Sequence, residues 1–106
     1  MSDSNQRSFE LSISLQVTSK RDAKLSHYAS LLEDALVEAL KEHPAITAYF
    51  VAADADSDEV RVGLRFEGME AKYIEDTADE VLDAAISKAS SADASAARQE
   101  STLVPA

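Results

Sequence analysis

Apolar and polar residues alternate strictly along residues 9–18, FELSISLQVT. The apolar residues at every second position are Phe9, Leu11, Ile13, Leu15 and Val17. A period of two over this length is typical of a strand with one face on a core and the other in water. We therefore predict a half-buried first strand over residues 9–18.

A helical pattern replaces the alternation further along the chain. The apolar residues now recur at steps of three and four: Leu25, Tyr28, Ala29, Leu32, Ala35, Leu36, Ala39 and Leu40. Such spacing places them on one face of a helix. Ser19 followed three residues later by Asp22 resembles a capping box, and Pro44 disfavours helical geometry in the residue before it. The pattern predicts a first helix over 19–43.

Two further apolar runs, 45–53 and 59–67, flank the polar segment 54–58 and predict a hairpin. In the later strand the predicted core residues are Val60, Val62, Leu64 and Phe66. The earlier strand is apolar on both faces, which indicates burial on both. For its core side we predict the face that carries Ile46, Ala48, Phe50 and Ala52.

A second amphipathic helix is predicted over 69–90, after Gly68 interrupts the pattern. Its apolar stripe is Ile74, Ala78, Val81, Leu82, Ala85, Ile86 and Ala89. Its opposite face forms a candidate acidic surface of Glu75, Asp76, Asp79, Glu80 and Asp83. We expect a flexible N-terminus over 1–8, a single domain over 9–90, and a disordered Ser/Ala-rich tail over 91–106.

These elements predict an α+β fold of two layers with the order β-α-β-β-α. The economical arrangement packs both helices on one face of a three-stranded antiparallel sheet of order 1-3-2. That plan resembles the ferredoxin-like fold lacking its last strand. The alanine-rich acidic helices, combined with this order, resemble those of many small bacterial proteins.

The predicted sheet leaves its first strand at an edge, and a long regular edge invites pairing with another chain. A second copy, a partner strand, or a return of the segment 102–104 as a short fourth strand would each cover it. The uncovered sheet face forms a candidate interaction surface of Ser12, Ser14, Thr47, Tyr49, Arg61 and Arg65. Its small residues would let a second sheet approach closely.

Charge restricts the partners. The 106 residues carry a formal net charge of −10, so nucleic acid and anionic membranes are disfavoured and a basic protein partner remains open. The chain has no cysteine, which excludes disulfides and thiolate chemistry. No signal peptide or membrane-spanning run is visible, and we expect a cytoplasmic protein.

One run of acidic residues matches the opening of a calcium-binding loop. Asp54, Asp56 and Asp58 alternate as in that motif, but Glu59 stands where Gly is required and Arg65 where Glu is required. Aspartate is also a common turn residue. We interpret the run as a turn, and leave open weak cation binding there.

Catalytic motifs are missing from the sequence. His27 and His43 are the only histidines, and no serine lies in a G-x-S-x-G elbow. Gly63 and Gly68 are isolated, so no phosphate-binding loop is predicted. We expect no catalytic site, no cofactor and no metal site, and hence no enzyme.

We therefore predict a non-catalytic protein–protein interaction module that forms a homodimer through its sheet edge or open sheet face. The alternative is an acidic inhibitor or nucleic-acid mimic that binds a basic protein through helix 69–90 and the Asp54–Asp58 turn. Binding through the acidic surface would weaken steeply as the salt concentration rises.

Overall fold

The computed structural model describes residues 8–19, 24–91 and 94–106. Its elements in chain order are β1 (Ser8–Ser19), α1 (Leu25–Leu40), β2 (Ile46–Asp54), β3 (Glu59–Glu67), α2 (Ala71–Ala89) and β4 (Ala94–Pro105). The strands form one antiparallel sheet of order β2-β3-β1-β4, and both helices pack on one of its faces. The predicted α+β class, with two helices and an antiparallel sheet, is confirmed.

The sheet has four strands, and the prediction of three strands without the last one is wrong. The fourth strand, β4, lies inside the segment 91–106 that was predicted as a disordered tail. It pairs with β1 along its whole length, from Phe9 opposite Pro105 to Ser19 opposite Ala94. The ladder satisfies backbone groups of β1 that would otherwise lie at an edge. Of the alternatives for covering β1, the returning segment is the one observed.

Because β4 covers it, β1 is an inner strand with β3 on its other side. The edges of the sheet are β2 and β4. The predicted exposed edge at β1, which motivated the interaction module, is therefore absent from the described fold. Residues 1–7, the main part of the predicted flexible N-terminus, lie outside the described residues.

The core fills the space between the sheet and the helices. The strands contribute their alternating apolar residues, and the helices contribute their stripes: Leu11, Ile13, Leu15, Val17, Val60, Val62, Leu64, Phe66, Leu32, Leu36, Ile74, Val81 and Leu82. Tyr28 on α1 is only 1% exposed, and its hydroxyl shares a 3.1 Å hydrogen bond with the Ser90 hydroxyl. The polar tip of this buried ring is thereby satisfied.

The first helix begins later than predicted. Ser19, predicted as its N-cap, is the last residue of β1, where it pairs with Ala94. Asp22 lies outside the described residues, and Lys24 occupies the N-cap position without a side-chain hydrogen bond. The ladder to β4 extends β1 through Ser19, which leaves that residue in the strand. At the other end α1 stops at Leu40 and the chain turns before Pro44.

The core side of β2 was predicted wrongly. The pairing register with β3 shifts between Ile46 and Ala48, so one extra residue enters the strand at this point. Ile46 is buried in the core, but beyond the shift Val51 faces the core and Phe50 faces the open side of the sheet. One inserted residue exchanges the two faces of a strand because side chains alternate with period two.

Candidate functional site

An irregularity in β4 shapes a hollow between this strand and α2. Ser14 pairs with Glu100 and Leu15 with Arg98, so Gln99 has no partner residue on β1. A bulge of this kind changes which face the following side chains occupy. Glu100 lies on the open side of the sheet, whereas Arg98 lies on the helix side and contacts α2.

Arg98 joins β4 to the acidic face of α2. Its Nη1 donates a hydrogen bond to the Asp79 carboxylate, and its Nη2 lies 3.5 Å from Asp83. Asp79 and Asp83 are four residues apart and therefore neighbours on one helix face. The guanidinium compensates part of the repulsion between the two carboxylates. Because all three side chains are partly exposed, we expect these ion pairs to stabilise the fold by about 1 kcal/mol or less.

Between α2 and β4 lies a cleft of ≈ 170 Å³, which we call the α2–β4 cleft. Its floor is apolar and consists of Leu11, Ile13, Ala78 and Leu82. Its rim is polar and consists of Glu75, Asp79, Arg98, Gln99, Glu100 and Ser101. An apolar cavity of about 150 Å³ admits benzene. The cleft is therefore large enough for one ring, with polar groups at its rim to orient it.

The rim of the α2–β4 cleft has an excess of negative charge. On the helix side, the carboxylates of Glu75 and Asp79 accompany one guanidinium, that of Arg98, which gives a formal charge of −1, while the Glu100 side chain lies on the open side of the sheet. Arg98 is engaged by Asp79 and Asp83. Within the described ranges, neither Glu75 nor Glu100 has a cationic partner within 4.0 Å.

A second hollow of ≈ 200 Å³ lies on the open face of the sheet, beside Phe50. The ring of Phe50 covers Gly63, its partner residue on β3. Beside it, Arg65 donates hydrogen bonds to Glu67 at 3.2 Å and to Glu10 at 3.3 Å. The Arg65 guanidinium is thus held by protein carboxylates, and the rest of the lining includes the Phe50 ring, Ala48 and Ser12.

The predicted interaction surface is only partly on one face. Ser12, Ser14 and Arg61 line a shallow groove of ≈ 360 Å³ on the open face together with Glu100 and Thr102. Thr47 and Arg65 also lie on this side, where both donate hydrogen bonds to Glu67.

Tyr49 is the exception among these residues. Its hydroxyl donates a 3.2 Å hydrogen bond to Glu33 of α1, so the side chain lies toward the helix layer. Local desolvation raises the pKa of Tyr49, and the Glu33 carboxylate raises it further. The bulge near Ile46 that reversed Phe50 also removed Tyr49 from the predicted surface.

The predicted acidic surface is not one free stripe. Asp79 and Asp83 contact Arg98, and Glu80 lies 3.5 Å from the imidazole Nε2 of His43, in the connection that follows α1. Glu75 borders the α2–β4 cleft, and Asp76 is exposed. His27 is exposed on α1.

The aspartate segment between β2 and β3 forms a turn. The Asp54 carboxylate accepts a hydrogen bond from the Asp56 backbone N–H, and Asp58 adopts a positive φ of 55°. Asparagine and aspartate tolerate this left-handed geometry better than other side chains. Among the described residues, no cluster of three or more acidic or histidine side chains has the arrangement of a metal site.

Sequence reasoning missed Arg98 and Gln99, because it treated their segment as a tail. Arg98 is the only cation in residues 91–106, and Leu103 with Val104 is the only strongly apolar pair there. Those two features were the available indications of a strand that returns to the acidic helix. None of the described helices is long and apolar enough to cross a membrane.

The fold is similar to that of a chain from Chloroflexus aurantiacus J-10-fl that is provisionally named an antibiotic biosynthesis monooxygenase. The TM-score is 0.57 at 16% sequence identity, over 93% of this chain and 92% of that chain. At this identity the likeness shows a shared fold. No family model matches the chain, and no curated protein matches its sequence.

Two other solved structures have a TM-score of 0.42 and 13% identity, which is too low to support an argument. An uncharacterised protein from Thermotoga maritima is matched over 94% of this chain and 96% of its own length. A tripeptidase from Staphylococcus aureus is matched over 94% of this chain but only 29% of its own length.

The comparison overturns the prediction of a non-catalytic interaction module and the prediction that the chain is not an enzyme. Both predictions depended on missing catalytic motifs and on a sheet that lacked its last strand. The complete four-stranded fold is shared with a chain named as a monooxygenase, so missing motifs give no ground for excluding catalysis. The alternative prediction of an acidic inhibitor is overturned together with these two. In addition, Arg98 and His43 contact part of the acidic surface through which the inhibitor was predicted to bind.

Proposed function

We propose that this chain is an enzyme that binds a small single-ring molecule in the α2–β4 cleft and oxidises it. The observation that supports this proposal best is the cleft itself, an apolar floor beneath a rim of carboxylates and one guanidinium. The name of the Chloroflexus chain, antibiotic biosynthesis monooxygenase, describes that protein. For the present chain it indicates which reaction class to test first.

The apolar floor supplies the affinity in this proposal. Leu11 and Ile13 of β1 and Ala78 and Leu82 of α2 are each at most 2% exposed, so the floor is part of the packed core and is rigid. Because these residues are already almost covered, the apolar area that binding removes from water is mainly that of the ring itself, which contributes about 25 cal/mol per Å². A pocket that is largely pre-formed loses little of this gain to reorganisation.

The rim supplies the polar chemistry. The carboxylates of Glu75 and Asp79 are one helical turn apart on α2, and both border the cleft. A ligand hydroxyl or amine within hydrogen-bond reach would donate to them. A carboxylate in that position also acts as a general base toward an acidic ligand proton. Proton removal makes a phenol ring easier to oxidise, and dissolved dioxygen would serve as the oxidant. One oxygen atom would enter the ring, which becomes a quinone, and the other would leave as water with the two hydrogens that the phenol loses.

The test fills the cleft with a large side chain introduced on β4, where an exposed position can accept a substitution. Ser101 is exposed on the edge strand β4 and lines the cleft, so Ser101→Phe places a ring inside the proposed site. Thr102 is the next residue and lies on the opposite face of the sheet, so Thr102→Phe is the matched control. Circular dichroism and urea unfolding establish that both variants fold.

We expect calorimetry to show that 2-phenylethanol binds the unaltered chain and the Thr102→Phe variant with similar affinity. Its affinity for the Ser101→Phe variant should be at least tenfold lower. We also expect phenol or tyramine to cause dioxygen uptake that an oxygen electrode detects and that Ser101→Phe abolishes. Binding that Ser101→Phe leaves unchanged would refute the cleft as the site. Binding in the cleft without dioxygen uptake would refute the oxidation.

A further inference from the structure

We propose that the α2–β4 cleft selects a cationic ligand, namely a single ring that carries a protonated amine. This inference depends on the proposed function only in placing the ligand in the same cleft. It does not depend on the ligand being oxidised. The observations that support it are the charges of the rim and the contacts those charges already make.

On the helix side the rim holds the carboxylates of Glu75 and Asp79 and the guanidinium of Arg98. Arg98 is not available to bind an anion, because Asp79 and Asp83 of α2 both contact its guanidinium. An anionic ligand would therefore meet an environment whose formal charge is −1. A ligand with a positive charge would be attracted to the rim, because solvent and salt only partly screen the attraction between unlike charges at a partly exposed site.

Glu75 is the carboxylate best placed to receive the amine. It lies one turn before Asp79 on the same face of α2, borders the cleft, and has no cation within 4.0 Å in the described part of the chain. A ring on the apolar floor would exclude water from this carboxylate. Loss of water disfavours a charged group unless an opposite charge replaces it. A protonated amine supplies that charge, whereas an alcohol supplies one neutral hydrogen bond.

Arg98 has a different place in this arrangement. Its guanidinium spans from β4 to α2 at the rim, above a floor of Leu11 and Leu82. A planar ring on that floor would lie beside a guanidinium, which stacks favourably on aromatic faces. The ring would then occupy the space between floor and Arg98, with its amine directed toward Glu75.

Three ligands of matched shape separate charge from size: 2-phenylethylamine, 2-phenylethanol and 3-phenylpropanoate. At pH 7 they are a cation, a neutral molecule and an anion. We expect calorimetry at low salt to give the amine about tenfold tighter binding than the alcohol, which corresponds to about 1.4 kcal/mol. The anion should show no measurable binding. Raising the salt concentration should weaken the amine and leave the alcohol unchanged.

The decisive variant is Glu75→Gln, which keeps the size of the side chain and removes its charge. It should reduce the amine's affinity to that of the alcohol. Asp76→Asn is the control, since Asp76 is the next residue on α2, is exposed and does not line the cleft. If the amine and the alcohol bind equally well, and Ser101→Phe abolishes the binding of both, the cation preference is refuted but the cleft remains the binding site. If none of the three ligands binds, both the cation preference and the cleft are refuted.

Discussion

The contact between Phe50 and Gly63 allows a quantitative test of the reversed register of β2. The two residues are partners across β2 and β3 on the open face of the sheet. A Cβ atom added to Gly63 would come within 3.0 Å of three carbons of the Phe50 ring. Gly63→Ala must therefore displace the ring. Because Phe50 is 48% exposed and lies on an edge strand, the ring can move into water without moving the backbone.

Two opposing effects set the magnitude. Alanine is about 0.5–1 kcal/mol more favourable than glycine in a strand interior, because glycine loses more conformational freedom on folding. The displaced ring loses its packing on β3. Full burial of a phenylalanine contributes about 1.5–3 kcal/mol, so a half-buried ring contributes about 1 kcal/mol. We expect Gly63→Ala alone to change the free energy of unfolding by less than about 0.5 kcal/mol.

The same substitution should be plainly stabilising when the ring is absent. In a Phe50→Ala background, Gly63→Ala keeps its entropic gain of about 0.5–1 kcal/mol and displaces nothing. The double-mutant cycle should then give a coupling energy of about 1 kcal/mol. Urea unfolding, followed by circular dichroism, measures all four chains, and the midpoints can be compared if the slopes agree.

The control cycle pairs Gly63→Ala with Tyr73→Ala, because Tyr73 is 52% exposed on α2 and lies in the helix layer. That pair should show no coupling. A Phe50–Gly63 coupling no larger than the control would refute the placement of Phe50 on the open face. The originally predicted arrangement, with Phe50 in the core, gives a different outcome, since Phe50→Ala would then cost about 3–5 kcal/mol.

Two further predictions concern β4 and self-association. Leu103 is half-buried opposite Leu11, whereas its neighbour Val104 is exposed on the other face of the sheet. Leu103→Ser should therefore lower the free energy of unfolding by about 1 kcal/mol, and Val104→Ser should lower it much less. Equal costs in urea unfolding would contradict the pairing of β4 with β1. The homodimer stays a prediction, and light scattering behind a sizing column tests it. A molar mass equal to that of one chain at every protein concentration would contradict it.

Much of the fold follows from local pattern. The alternation over residues 9–18 and the apolar set Val60, Val62, Leu64 and Phe66 predicted β1, β3 and their core faces correctly, because burial of one strand face imposes a period of two. The stripes of both helices were also predicted, although α1 begins at Leu25 rather than at 19. In these elements the residues that form the core also define the pattern.

The α2–β4 cleft could be predicted only in part. The acidic residues of α2 were recognised as a surface, and Leu82 and Ala78 as core. Their combination into a cleft required β4, whose sequence is small, polar and exposed along most of its length. A strand of this composition forms because its backbone pairs with β1, and backbone pairing leaves little trace in side-chain hydropathy.

The sequence by itself determined the class of the fold, the two helices, and the inner faces of the strands that bury regular apolar sets. Only the tertiary structure decided the fourth strand and the two register shifts, at Ile46 to Ala48 and at Gln99. A single inserted residue moves every later side chain to the opposite face, and its position depends on the partner strand. For that reason the faces on which Phe50 and Arg98 lie were decided by pairing across the sheet.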